Sequence, residues 1–226
     1  MLLVWMSVSK SPSSAPAREK RRQAEKAHRH SERRGSIMRA AKELLVAHGI
    51  DRFTVAEVAH ASRLSKPSLY YYFESKEALV LDLAIEALEL EYSAVAEAVQ
   101  IAETGIAALV GLIRARVDHF LHDNDAFRLL HVWAPALGLQ RQLIQSNTNR
   151  QMSTLLGDIG IRLSSERNGS TRTALRDAQQ LPAMAWAMSQ GILVQGISAA
   201  MSPKGVEQCR AMRDVACRWV LDSLVE

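Results

Sequence analysis

Along almost the whole chain, apolar residues return every three or four positions and nowhere alternate one by one. That period belongs to helices with one buried stripe, so the expected fold is all-α, of about nine helices. The first clear stripe is Ile37, Ala40, Ala41, Leu44 and Leu45, and Gly49 is expected to stop it. Next comes Thr54-Val-Ala-Glu57, the spacing of a capping box, in which the threonine oxygen takes an orphan amide and the glutamate reaches back. Ser65 is a good cap for a third helix. Leu64 can staple against Leu69, and Pro67 sits in the first turn, where its missing N–H is harmless.

Further helices are expected from Ser75 to Glu103-Thr104-Gly105, from Ile106 to Leu121, from about Ala126 to Ala134, and from about Leu139 to Ser164. The polar stretch Ser165–Thr171, with its Asn168-Gly169 turn signal, separates these from a last pair. That pair runs from Ala174 to Met201 and from Pro203 to Val225, the latter capped by Ser202. Pro182 either starts or kinks the eighth helix.

With 226 residues, 48% of them hydrophobic and 23% charged, the chain can bury a core without disulfides or a structural metal. Cys209 and Cys217, eight apart and outside any CxxC pattern, fit a reduced cytoplasmic setting and no thiolate metal site. The apolar start MLLVWMSV is too short to span a bilayer and is not preceded by basic residues, so no membrane association is expected. A phosphate loop, a nucleophile elbow, HExxH and zinc spacings are all missing, so the chain reads as no enzyme and needs no cofactor. Asp118, His119, His122 and Asp123 are better read as a helix end than as metal ligands.

Charge is unevenly spread. Arg18–Arg34 holds eight Lys/Arg against three Glu, a net of +5, whereas the whole chain carries +4, leaving −1 (4 − 5) for the rest. Residues 1–33 read as a flexible basic arm, either merely solvated or in contact with phosphates.

The two short helices joined by Ser62-Arg-Leu-Ser65 make a helix-turn-helix. With Leu69 and Phe73 inward, Ser68, Tyr71 and Tyr72 share the outer face, and Lys66 and Tyr70 form a neighbouring edge. Hydroxyls there can reach phosphates and base edges, and rings can touch thymine methyls. The stretch TVAEVAHASRLSKPSLYYYFESKEAL, residues 54 to 79, resembles the DNA-binding domain of the TetR family of transcriptional regulators, and the helix before it matches that family's first helix. LYYYF followed by SKEAL makes the likeness specific, although it covers only about a fifth of the chain, roughly residues 34 to 80.

The resemblance implies a helix-turn-helix DNA-binding domain of three helices over residues 34–80, with its motif at about 54–73. A larger helical domain for effector binding and dimerisation would then occupy 81–226. It implies phosphate contacts for Thr54, Tyr70, Tyr72 and Lys76, base or flanking contacts for Lys66, Pro67 and Ser68, and a variable contact for Tyr71. Arg63 stands where the family often has glycine, and adds a candidate phosphate contact. The implied partner is a double-stranded, near-palindromic operator bound by a homodimer, more often in repression than activation, and released by a small-molecule effector.

Small and apolar residues on the last two helices suit an isologous four-helix contact: Ala183, Ala187, Met188, Gly191, Met212 and Trp219. Tyr92, Phe120, Phe127, His131, Trp133, Met152 and Trp186 are candidates for an effector pocket, though aromatic and Met side chains at this spacing also make plain core. Two other readings fit a basic helical chain: a sequence-independent DNA binder, and an interaction module with its tyrosines buried.

Overall fold

The computed structural model describes residues 15–166, 172–199 and 203–224, and among these there are helices and no strand. The expected Asn168-Gly169 turn and Ser202 cap lie outside them, as do residues 1–14. In chain order the helices are α1 Ala15–Arg52, α2 Val55–Ala61, α3 Lys66–Tyr70, α4 Lys76–Gln100, α5 Gly105–His122 and α6 Asn124–Arg128. A π-helical turn, Leu129–Trp133, leads into α7 Ala134–Ala136. Then follow α8 Gln140–Ile144, α9 Asn147–Glu166, α10 Arg172–Ala199 and α11 Pro203–Leu224.

Two expectations need correcting. The basic segment is not irregular: from Ala15 it is helical and continuous with α1, while residues 18–33 stay exposed. Its Ala, Arg, Lys, Glu and Gln are strong helix formers. Pairs four apart add to this, Arg21 with Glu25 at 3.1 Å and Glu19 with Gln23 at 3.2 Å. The second correction concerns 139–164, which is not one helix. The chain breaks after Ile144, and Ser146 restarts it by accepting the Asn149 amide at 3.1 Å. Pro182 falls inside α10.

At Gly49 the backbone takes φ 72°, a left-handed value that glycine adopts without penalty, and α1 kinks there before its last turn. Ile37, Ala41 and Leu45 from α1 meet Phe53, Val58, Ala59, Leu69 and Phe73 in the interior of the N-terminal helices. Beyond them, α5 is the central helix, packed on α4, α9, α10 and α11. Its start is held by Glu166, whose two carboxylate oxygens accept the Gly105 amide at 2.7 and 2.9 Å. The end of α4 is held by Arg162, which donates to the Val99 and Ala102 carbonyls at 3.2 and 2.8 Å, a cation where the helix dipole favours one.

One buried ion pair joins three helices. Arg116 of α5 donates through Nε to Glu91 of α4 at 2.6 Å. Its Nη1 reaches Ser189 of α10 at 2.8 Å and the Trp186 carbonyl at 3.3 Å, and its Nη2 reaches Gln190 at 2.5 Å. The guanidinium also stacks 3.8 Å from the Trp186 ring centre. Burial pushes the Glu91 carboxyl above the usual carboxylate range, and the adjacent guanidinium opposes that push. Removing one member of such a pair strands a buried charge. Arg116→Met is therefore expected to lower the unfolding free energy in a urea titration by about 3–5 kcal/mol, and Arg116→Met with Glu91→Leu to recover most of the loss.

Candidate nucleic-acid interface

The outward face of α2 and α3 is built from local hydrogen bonds. Thr54 accepts the Glu57 amide at 3.3 Å, and Glu57 takes both the Thr54 amide and its hydroxyl, at 3.2 and 2.8 Å. The capping box is complete, and the Thr54 hydroxyl holds the Glu57 carboxyl below its ordinary value. At the far end of α2, Leu64 N–H bonds to the Ala59 carbonyl at 2.8 Å and Arg63 N–H to that of His60 at 3.0 Å. This is a Schellman closure, and its left-handed position, φ 54°, is filled by Arg63 rather than glycine. Ser65 then caps α3, accepting from Ser68 N–H at 3.2 Å and sharing a 2.7 Å hydroxyl contact with Ser68.

Thr54, Arg63, Lys66, Pro67 and Ser68 are all exposed on this face. Tyr70 is 42% and Tyr71 73% exposed, so two of the three tyrosines are open to solvent. Tyr72 departs from expectation. Because α3 ends at Tyr70, with Tyr71 as its cap, Tyr72 leaves the outer row and packs half-buried against the core. His30 of α1 lies over it, ring centres 4.8 Å apart, and also meets the edge of Tyr71 at 5.8 Å.

Lys76 also differs from expectation. Its ammonium donates to the Ile50 carbonyl at 2.7 Å and lies 5.7 Å from the Phe53 ring centre. It thus caps the last turn of α1, where carbonyls lack helical partners. Arg34 was counted with the basic segment, yet it pairs with Asp82 of α4 and lies 4.6 Å over the Phe73 ring. Its position three before Ile37, on the row continuing to Ala41 and Leu45, is the signal that gives it away. His30, four before Arg34, extends that row.

The pocket candidates divide. Phe120, Phe127 and His131 touch, with Phe127 at 5.2 Å from Phe120 and 4.3 Å from His131 by ring centres, and Trp186 joins them through Arg116. His131 reaches solvent, yet its apolar neighbours and the nearby Arg116 push its pKa down to about 4. Trp133 and Met152 are buried in the core and Tyr92 packs against it. Arg116 itself was missed, although it interrupts the apolar row Leu109, Leu112, Ile113, Val117, Phe120. Among the described residues, no group of three or more His, Cys, Asp and Glu could hold a metal ion, and no helix is long and apolar enough to cross a membrane.

Ala183, Ala187, Gly191 and Trp219 are exposed and Met188 and Met212 half-buried. The last four of these line an open apolar groove of about 610 Å³ between α10 and α11. Trp219 is 49% exposed there. A mixed-charge groove of about 550 Å³ lies between α1 and α4, lined by Arg34, Arg39, Lys42, Asp82, Glu86 and Glu89 among others.

Only the left-handed turn position carries evident backbone strain on this face. Arg63→Gly removes it, and thermal or urea unfolding should show a gain of roughly 0.5–1 kcal/mol; no gain would mean that the turn holds no strain.

Comparison with known proteins agrees with this geometry. Residues 37–83 match the family model described as bacterial regulatory proteins, tetR family. An HTH-type transcriptional regulator of Mycobacterium bovis is 27% identical over 160 residues, 70% of this chain and 79% of the relative. The HTH-type transcriptional activator FasR of Mycolicibacterium smegmatis is 31% identical over 99 residues, 44% of this chain and 45% of that one. Among solved structures, the transcriptional regulator FadR from Bacillus subtilis in complex with stearoyl-CoA shares the fold. It has a TM-score of 0.64 and 15% identity, covering 80% of this chain and 96% of its own. The helices around the Arg63 turn match the tetR-type DNA-binding unit, and over most of its length the chain is similar to helix-turn-helix transcriptional regulators.

Proposed function

We propose that the chain acts as a homodimer on a near-palindromic operator, as a repressor released by a small-molecule effector. The observation that carries the operator reading is the open face of α3. Lys66, Ser68, Tyr70 and Tyr71 stand together in solvent on a helix too short to bury them and capped at its start by Ser65. Lys66 supplies a phosphate or guanine contact, and Tyr71 offers a ring and a hydroxyl to bases or sugars. Thr54 and Arg63 flank the same face and serve as backbone contacts. Lys76, held on Ile50, positions α1 against α4, and Tyr72 supports Tyr71 from beneath.

Dimerisation through α10 and α11 is supported by the apolar groove, in which Val215 and Trp219 stand exposed, and by exposed Met184 and Leu221 on the same two helices. A two-fold contact there would set two α3 helices for successive major-groove faces. Gly191→Glu places a charge in that groove. It should convert dimer to monomer in sedimentation velocity while leaving the helical circular dichroism signal unchanged.

The effector reading rests on the cluster of Arg116, Phe120, Phe127, His131 and Trp186. It abuts a π-helical turn, a geometry frequent at functional positions, and α4 runs from Glu91 in this cluster back to Lys76 at the N-terminal helices. Binding that shifts α4 would move α3. A coupling of about 1–3 kcal/mol is enough for regulation. Long-chain acyl-CoA is the first effector to test, because the Bacillus subtilis neighbour was solved with stearoyl-CoA. A reporter assay reads the sign of regulation, since one relative bears the name activator.

Fluorescence anisotropy with DNA flanking the chain's own gene, against a scrambled duplex at two salt concentrations, tests the operator. Saturable preference for one segment is expected, with Tyr71→Ala relaxing the preference by about 1–3 kcal/mol and Thr54→Ala weakening all sequences alike. Equal binding to both duplexes, vanishing with salt, would favour a sequence-independent binder instead.

A further inference from the structure

We propose that the N-terminal extension of α1 is a second DNA-binding element, a rigid helix that lays one basic stripe along the phosphates outside the segment read by α3. The inference rests on the operator reading above and extends it to a new surface.

Within the helical segment one face gathers five of the seven Lys and Arg that precede Arg34. Arg18, Arg22, Lys26, Arg29 and Arg33 follow one another at spacings of four, four, three and four, which puts all five on one side of the helix. The stripe is about 22 Å long at the helical rise. Glu25 and Glu32 lie along the edge of the stripe away from His30, and each also meets a residue beyond it: Glu25 with Arg21 at 3.1 Å, and Glu32 with His28 at 3.4 Å. Glu19 borders the stripe, where it accepts the Gln23 amide at 3.2 Å. The five stripe cations are exposed. Arg34, by contrast, is held inward by Asp82 and Phe73 and does not belong to the stripe.

Position decides what the stripe faces. His30 is stacked on Tyr72 and meets the edge of Tyr71, so the helix is anchored beside the open face of α3. The stripe lies on the flank adjoining His30, within about 120° around the helix axis. A cationic row held next to a groove-reading helix meets the polyanion that helix engages, namely duplex DNA beyond the base-contacting segment. Five point charges with no built recognition site suit phosphates and carry no base preference.

The test uses the full chain and two duplexes, the bound segment alone and the same segment with one helical turn of arbitrary sequence added to each side. Arg18, Arg22, Lys26, Arg29 and Arg33 are replaced together by Gln, a good helix former, and circular dichroism confirms that helicity is kept. Lys20→Gln, on the side of the helix away from the stripe, is the control. The native chain and the control should bind the longer duplex roughly tenfold or more tightly at low salt. The stripe variant should lose that gain, and its log K against log salt slope should shrink by about 0.9 for each contact removed, with sequence preference intact. Equal slopes and equal flank effects in all three proteins, with preference retained, would overturn the inference and leave the operator reading standing. A slope that depends on the stripe without sequence preference in the native chain would uphold the stripe and sink the operator reading. No binding by the native chain would end both.

Discussion

A guanidinium with five N–H donors is hard to bury, and Arg116 is fully buried. Its donors demand acceptors at fixed angles, and those acceptors come from α4 and α10. The need to satisfy one side chain therefore fixes the mutual register of three helices. Apolar packing alone tolerates small slides between helices, whereas a buried charge does not, because a displaced Glu91 would leave the cation unpaired in a poor solvent for ions. Around this point the aromatic rings of Trp186 and Phe120 close over the guanidinium. The larger helical assembly is thus specified by a polar contact and stabilised by the apolar ones.

The reading face follows a different logic. It is assembled from contacts three to five residues apart: Thr54 with Glu57, Leu64 with Ala59, Ser65 with Ser68, and Ser75 with Ala78. Such short-range bonds shape the turn independently of the distant core. Longer-range ties then orient the whole unit, with Arg34 reaching Asp82 and Lys42 reaching Asp123 at 2.9 Å. Asp123 also caps α6 by accepting the Ala126 amide at 3.0 Å, so one carboxylate links the first helix to the corner after α5.

Legibility in the sequence tracked this division. The caps at Thr54, Ser65 and Ser75 could be read because both partners lie within one turn of each other. The inward rows through Ile37, Leu69 and Phe73 could be read from their period. Tyr72 was misplaced because the outer-row argument assumed a helix that continues, and α3 has only five residues. The contact of Lys76 was not legible for a related reason: the Ile50 carbonyl that it meets is 26 residues away. Arg116 and Glu91 each interrupt an apolar row, which marks them as buried charges, but nothing local says that they meet. The basic segment was misjudged from its charge, when the propensities of Ala, Glu, Gln and Arg already favoured a helix.

The unbroken run of α1 before Gly49 has a mechanical consequence. The helix is clamped at Lys42 and Arg34 and held again where His30 stacks on Tyr72, and residues 15–29 project beyond that last contact. From His30 to Arg18 the arm is about 18 Å long, so a tilt of about 10° at that contact swings its tip by about 3 Å. That travel exceeds the whole length of a charge-assisted hydrogen bond, about 2.8 Å. A displacement of α4 too small to dislodge α3 is therefore magnified at the far end of the same rod.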